Sequence, residues 1–211
     1  MQARTIVLAT RNPGKVREIT AALGALPVEI RGLDRFGPIA EPAETGATFA
    51  ANARDKALYY AAATGQWCLA EDSGLEVDAL EGAPGVLSAR YAADRWAAGA
   101  DRDAIDRANN AKLLEALAGV PAERRTARFV CHLALASEGR ILIETYDTVE
   151  GRIASAPRGR GGFGYDPLFV VPSLGLTTAE LSGEQKNALS HRGKATRHFA
   201  RLLASVLSGG S

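Results

Sequence analysis

Glu71 and Asp72 stand side by side after the apolar run Trp67-Cys68-Leu69-Ala70 and before Ser73-Gly74. Neighbouring carboxylates at a strand end form the oxygen-rich set that a hard divalent cation such as Mg²⁺ takes. A carboxylate so placed can also orient or deprotonate a water. Ser73 and Gly74 allow a tight turn and a close approach to a ligand. Glu41 and Glu44, in a polar stretch upstream, are candidates for the same metal. Glu44 equally suits a helix start, with Thr45 or Thr48 as cap. Lys56 falls within the helix that follows, either as a surface lysine with a snorkelling stem or as a phosphate contact.

A second constellation is Thr10-Arg11-Asn12-Pro13-Gly14-Lys15, where a short apolar run meets an amphipathic segment. Asn12 suits a helix cap and Pro13 the first helical turn. A first turn carries unpaired N–H groups and partial positive charge, which is where a phosphate binds well. Lys15 and Arg11 add full charges. The motif is not a Walker loop, because no Ser or Thr follows Gly14-Lys15 and the upstream glycine is missing.

Gly159 to Gly164 match G-x-G-x-x-G. The dinucleotide reading fails, since the loop does not follow a strand pattern and Tyr165-Asp166-Pro167 prevents a helix behind it. What remains is a loop presenting Phe163, Tyr165 and Asp166. An aromatic ring there can stack on a base and Asp166 can bond its edge, unless the aromatics are core anchors, a role that suits Tyr165. Lys186 and Ser190-His191-Arg192 come last. Ser190 is a candidate N-cap, and the Arg192 guanidinium is a fixed fork of donors suited to a purine oxo group.

The elements that must position these groups alternate between strand and helix. Hydrophobic periodicity predicts strands at 4–10, 28–33, 67–70 and 168–171, with helices at 13–25, 47–64, 101–118 and 190–207. Residues 127–136 and 140–149 read as a hairpin around Glu138-Gly139, and Gly65 as a helix stop. Residues 154–167 form a Gly/Pro/Arg loop. The expected fold class is α/β, a mixed twisted sheet flanked by helices, with two lobes around a central nucleotide-binding cleft. No repeat or linker divides residues 1–211, which read as a single domain.

Twenty-five basic residues against 24 acidic ones give a net charge of +1, which argues against a broad nucleic-acid or membrane surface. No apolar run reaches membrane-span length and no leader pattern is visible. Cys68 and Cys131 lie in apolar runs and read as reduced core thiols of a cytoplasmic protein.

Phosphate grip, acidic pair, aromatic glycine loop and basic helix start together specify a nucleotide site. In this combination the sequence resembles the RdgB-type inosine/xanthosine triphosphate pyrophosphatase family. The segments that carry the resemblance are Leu8–Lys15, Glu44–Phe49, Ala70–Leu75, Gly82–Val86, Gly161–Phe169 and Ser190–Gly193. It implies hydrolysis of ITP, dITP or XTP between the α and β phosphates with Mg²⁺, by a homodimer. By position, it implies that Thr10, Arg11, Asn12, Pro13, Gly14 and Lys15 hold the triphosphate. Asp72 is then base and metal ligand, Ser73 touches substrate, and Lys56 belongs to the active site. Phe163, Gly164, Tyr165, Asp166, Lys186, His191 and Arg192 surround the nucleoside. Two positions depart from the pattern: many relatives have a second aspartate where this chain has Glu71, and a glutamate where it has Ala51. Glu41, Glu44 and Glu71 thus all stay candidates to join Asp72 on the metal. The competing readings are a Maf-like nucleotide pyrophosphatase of other base preference and a non-catalytic nucleotide- or RNA-binding module.

Overall fold

A computed structural model describes residues 4–24 and 26–209. Its elements run β1 (Arg4–Leu8), α1 (Pro13–Leu23), β2 (Val28–Gly32), α2 (Phe49–Thr64), β3 (Trp67–Val77), α3 (Arg102–Ala116), β4 (Thr126–Ser137), β5 (Arg140–Ile153), β6 (Phe169–Val171), β7 (Leu176–Thr177), α4 (Gly183–Leu189) and α5 (His191–Gly209), joined in places by short 3₁₀ turns. The strands form one sheet in the order β2-β1-β3-β4-β5-β6-β7. β1 pairs in parallel with β2 and with β3, setting Ile6 opposite Ile30 and Trp67. β6 runs antiparallel to β5 and β7. The sheet is therefore mixed, in an α/β fold.

The chain divides into two compact units, the first drawn from Met1–Asp72, Cys131–Asp147 and His191–Ser211, the second from Ser73–Val130 and Thr148–Ser190. In the first unit strand alternation sends successive side chains to opposite faces. Ile6, Leu8, Leu69 and Leu133 join Ile19 and Leu23 of α1 and Phe199 and Leu203 of α5 in one cluster. Val7, Cys68, Ala70 and Ala134 join Ala53, Ala57 and Tyr60 of α2 in another. The second unit is built on Leu75, Val77, Leu113, Leu117, Phe129 and Phe169, with the Phe129 and Phe169 rings 4.4 Å apart. Among the described residues no helix is long and apolar enough to cross a membrane.

Differences from the expected elements have local causes. Ser73-Gly74 do not turn: β3 continues through them to Val77, because Leu75 and Val77 are fully buried and extend the apolar alternation. α4 was hidden in a polar stretch, yet it carries a reciprocal capping box between Ser182 and Gln185. β7 has two residues, too few for any periodicity to register. The helix stop at Gly65 is as expected, with φ of 65°. Ala25, assigned by spacing to the first helix, lies outside the described residues.

Phe199 is fully buried in the α1–α5 cluster. Phe199→Ala is expected to lower the unfolding free energy by about 3–5 kcal/mol, measured by urea titration. A loss below about 1 kcal/mol would contradict this packing.

Candidate active site

The N-terminus of α1 is organised by Asn12, whose Oδ1 accepts from the N–H groups of Gly14 at 2.9 Å and Lys15 at 3.3 Å. Pro13 occupies the first helical turn and Asn12 N–H donates to Thr10 Oγ1 at 3.2 Å. Two orphan donors of the first turn are thus already satisfied, which leaves the full charge of Lys15 as the main attraction for an anion. Arg11 is turned elsewhere. It is exposed and donates through Nη2 to the carbonyl of Ile39 at 2.7 Å.

In the middle of β3 the two carboxylates part company. Glu71 follows Leu69 onto the face covered by α1 and α5, where its Oε2 accepts from Arg192 Nε at 2.7 Å and its Oε1 from Arg192 Nη2 at 2.9 Å. Lys15 Nζ lies 3.3 Å from Glu71 Oε1, and Arg192 Nη1 donates to Glu18 Oε2 at 2.5 Å. Glu71 and Arg192 are each only 2% exposed. Burial disfavours the guanidinium charge, but Glu71 and Glu18 outweigh it and raise the Arg192 pKa. Arg192 and Glu71, assigned by the sequence reading to the base and to the metal, are thus placed against each other. The Arg192 fork is directed onto carboxylates, because burying it without counter-charge would be far more unfavourable than any base contact could offset. Glu71 belongs to that ion network, on the face opposite to Asp72.

Asp72 follows Cys68 and Ala70 onto the α2 face. Asn52 Nδ2 donates to its Oδ2 at 3.0 Å, and Lys56 Nζ lies 4.0 Å from Oδ1. Lys56 Nζ also donates to Glu44 Oε1 and, at 3.4 Å, to the carbonyl of Glu71. The Asp72 pKa is raised, first by desolvation; Lys56, Asn52 and Lys15 work against that rise and Glu44 adds to it. A buried carboxylate that binds a proton more readily than a surface aspartate is suited to general-base work. Glu41 is exposed in the segment before α2. His191 is buried at the start of α5.

In the second unit Asp166 organises the glycine loop. Its Oδ2 accepts from Phe163 N–H at 2.8 Å and from Lys186 Nζ at 2.6 Å, while Oδ1 accepts from Thr178 Oγ1 at 2.8 Å. Lys186 Nζ stands 4.8 Å from the Phe163 ring centroid. Gly162 has φ of 76°, and a Cβ there would meet the Asp166 carboxylate at 1.9 Å, so both conformation and space require glycine. Gly164, with φ of 62°, is the third left-handed residue of the loop, after Gly159 and Gly162. Tyr165 is a core anchor: it is 4% exposed and its hydroxyl donates to the Ser88 carbonyl at 2.9 Å. Ser73 begins this unit and is half-buried.

Sequence reading missed Asn52 and Glu18. A signal for Asn52 was present, since Asn52 and Lys56 are four apart on the stripe that includes Phe49, Ala53, Ala57 and Tyr60. Two polar residues on a helix's buried face are there to meet something polar.

The first unit therefore offers a charged, partly desolvated carboxylate site beside a helix start, and the second an aromatic loop with a buried acid and amine. Both sets of residues are carried by one α/β fold. A model of the Ham1 family matches residues 6–202, and the chain belongs to that family. It is 53% identical over 209 residues to the dITP/XTP pyrophosphatase of Nitratidesulfovibrio vulgaris, covering 99% of this chain and 100% of that protein. It is 48% identical to the dITP/XTP pyrophosphatase of Exiguobacterium sibiricum over 96% of this chain and 98% of that one. Among solved structures, a HAM1 protein from Coxiella burnetii superposes with a TM-score of 0.84 at 40% identity, covering 96% of this chain and 99% of the other.

Arg192→Ala would remove the buried guanidinium that Glu71 and Glu18 share, leaving a net negative charge in the network. Its unfolding free energy is expected to fall by about 3–5 kcal/mol in urea titration. A variant as stable as the parent would show that Arg192 is not the keystone of this network.

Proposed function

We propose that the protein hydrolyses aberrant purine nucleoside triphosphates, ITP, dITP and XTP, to the monophosphate and pyrophosphate, and so cleanses the nucleotide pool. Its relatives' names support the reaction. The observation in this chain that carries it is Asp72, a buried carboxylate with a raised pKa, set beside a lysine and an asparagine. In this reading Asp72 orients and deprotonates the water that attacks the α-phosphorus. Lys15 and Lys56 neutralise phosphate charge, and Asn52 holds the carboxylate in place. Positioning and fixed charge supply most of the rate.

The residues fit a magnesium ion in one way. Lys56 lies against both Glu44 and Asp72, so these two carboxylates already form a pair that attracts a cation. Among the described residues no three His, Cys, Asp or Glu side chains are grouped to hold an ion by themselves. Mg²⁺ characteristically takes one or two carboxylates and completes its shell with phosphate oxygens and water. Asp72 and Glu44 would hold it, and when bound it would neutralise phosphate charge and acidify a coordinated water. Glu71, on the opposite face, is not part of this set.

In the second unit Phe163 offers a ring for purine stacking, and Lys186 and Asp166 offer donors and an acceptor. Hypoxanthine and xanthine carry a 6-oxo acceptor where adenine has an amino donor. A donor left facing that amino group costs about 1–3 kcal/mol, enough to disfavour ATP. The near-zero net charge and the buried free thiols Cys68 and Cys131 accord with a cytoplasmic enzyme acting on free nucleotides rather than on nucleic acid or membrane. The family resemblance supports a homodimer.

With Mg²⁺, pyrophosphate release is expected to be strong from ITP, XTP and dITP and weak from GTP, ATP and dTTP, and to cease on chelation. Asp72→Asn is expected to fold normally and lose about 10²–10⁴-fold in kcat. A preference for dTTP would favour the Maf-like alternative, and tight binding without turnover of any triphosphate would favour a binding module.

A further inference from the structure

The loop assigned to the base has a weak point at Gly164. This residue has no side chain and sits at φ of 62°, so only its peptide groups can anchor it. Both are taken by one helix. Asp106 Oδ2 accepts from Gly164 N–H at 2.6 Å, and Asn110 Nδ2 donates to the Gly164 carbonyl at 2.8 Å. Asp106 and Asn110 are four apart on α3 and therefore share a face. Both are buried, at 9% and 8% exposure, and Asn110 Nδ2 also donates to the Asp106 carbonyl at 2.7 Å. Arg102 Nε lies 3.1 Å from Asp106 Oδ1 as an ion pair, at an angle that makes no hydrogen bond.

Burying an acid and an amide on a helix face is unfavourable unless they have partners. Here each has one on the same glycine. The loop is thus held from two sides: Asp166 fixes Phe163 N–H, and α3 fixes the next residue. An aromatic wall discriminates between bases only when held to within a fraction of an ångström. We propose that Asp106 and Asn110 are positioning residues for base selection, clamping the Gly164 peptide so that Phe163 and the groups around it keep one geometry. The inference rests on the function proposed above, but the clamp itself does not need substrate to be observed.

The test uses Asp106→Ala and Asp106→Asn in the full chain. In Asp106→Ala the Gly164 amide should exchange its hydrogen faster and KM for ITP should rise about tenfold, the scale of one lost charge-assisted hydrogen bond. The preference for ITP over ATP should shrink, with kcat at saturating ITP within about threefold of the parent. Asp106→Asn keeps an acceptor for the Gly164 N–H and should recover most of the lost affinity. Thermal unfolding confirms that both variants fold. Unchanged Gly164 exchange overturns the clamp. A loss of kcat with KM and base preference unmoved overturns the assignment to base selection. If the parent protein does not hydrolyse ITP, the proposed function fails and the selectivity inference falls with it, while exchange at Gly164 still decides the clamp.

Discussion

Consecutive residues of a β-strand project to opposite faces, and that rule separates the two carboxylates in the middle of β3. Leu69 and Glu71 face α1 and α5, whereas Cys68, Ala70 and Asp72 face α2. Each acid then meets what its helices present. Glu71 finds Lys15 and Arg192, and Asp72 finds Asn52 and Lys56. A shift of one residue in β3 would exchange these environments and set each carboxylate against the wrong partners. The apolar residues before the pair fix that register, since Leu69 and Ala70 are committed to different cores. The packing of the sheet and the division of labour among its charges are therefore one constraint.

The two environments differ in kind. Around Glu71 two acids, Glu18 and Glu71, balance two cations, Lys15 and Arg192, and the charges are held by direct contact. Around Asp72 the contacts are looser: one amide hydrogen bond, and an ammonium at 4.0 Å. Desolvation therefore prevails at Asp72 and raises its pKa. The first arrangement builds a rigid support under Lys15. The second leaves a carboxylate that can exchange a proton.

Much of this was legible in the sequence. The cap by Asn12, the turn at Gly65 and the hairpin at Glu138-Gly139 rest on local backbone rules and appear as expected. Asp72 and Lys56, singled out by residue type and family resemblance, lie against one another. The partners of Glu71 were less accessible, because Arg192 is 121 residues away and no local pattern encodes that pairing. Even so, the alternation Cys68-Leu69-Ala70-Glu71-Asp72 already sends the two acids to opposite faces of the sheet. Reading Ser73-Gly74 as a turn obscured it. The glycine loop shows the converse. G-x-G-x-x-G identified a flexible backbone, but its rigidity comes from Asp166, three residues beyond Phe163, and from Asp106 and Asn110, whose side chains reach it from a distant helix.

The charge pattern of the first unit depends on the separation of Glu71 from Asp72. It is tested most directly by Mn²⁺ binding, followed by electron paramagnetic resonance in the presence of a non-hydrolysable inosine triphosphate analogue, in Glu71→Gln and Glu44→Gln. Glu44→Gln is expected to weaken Mn²⁺ binding while Glu71→Gln retains the parent affinity. An equal loss in Glu71→Gln would place Glu71 on the metal and contradict the separation of the two faces.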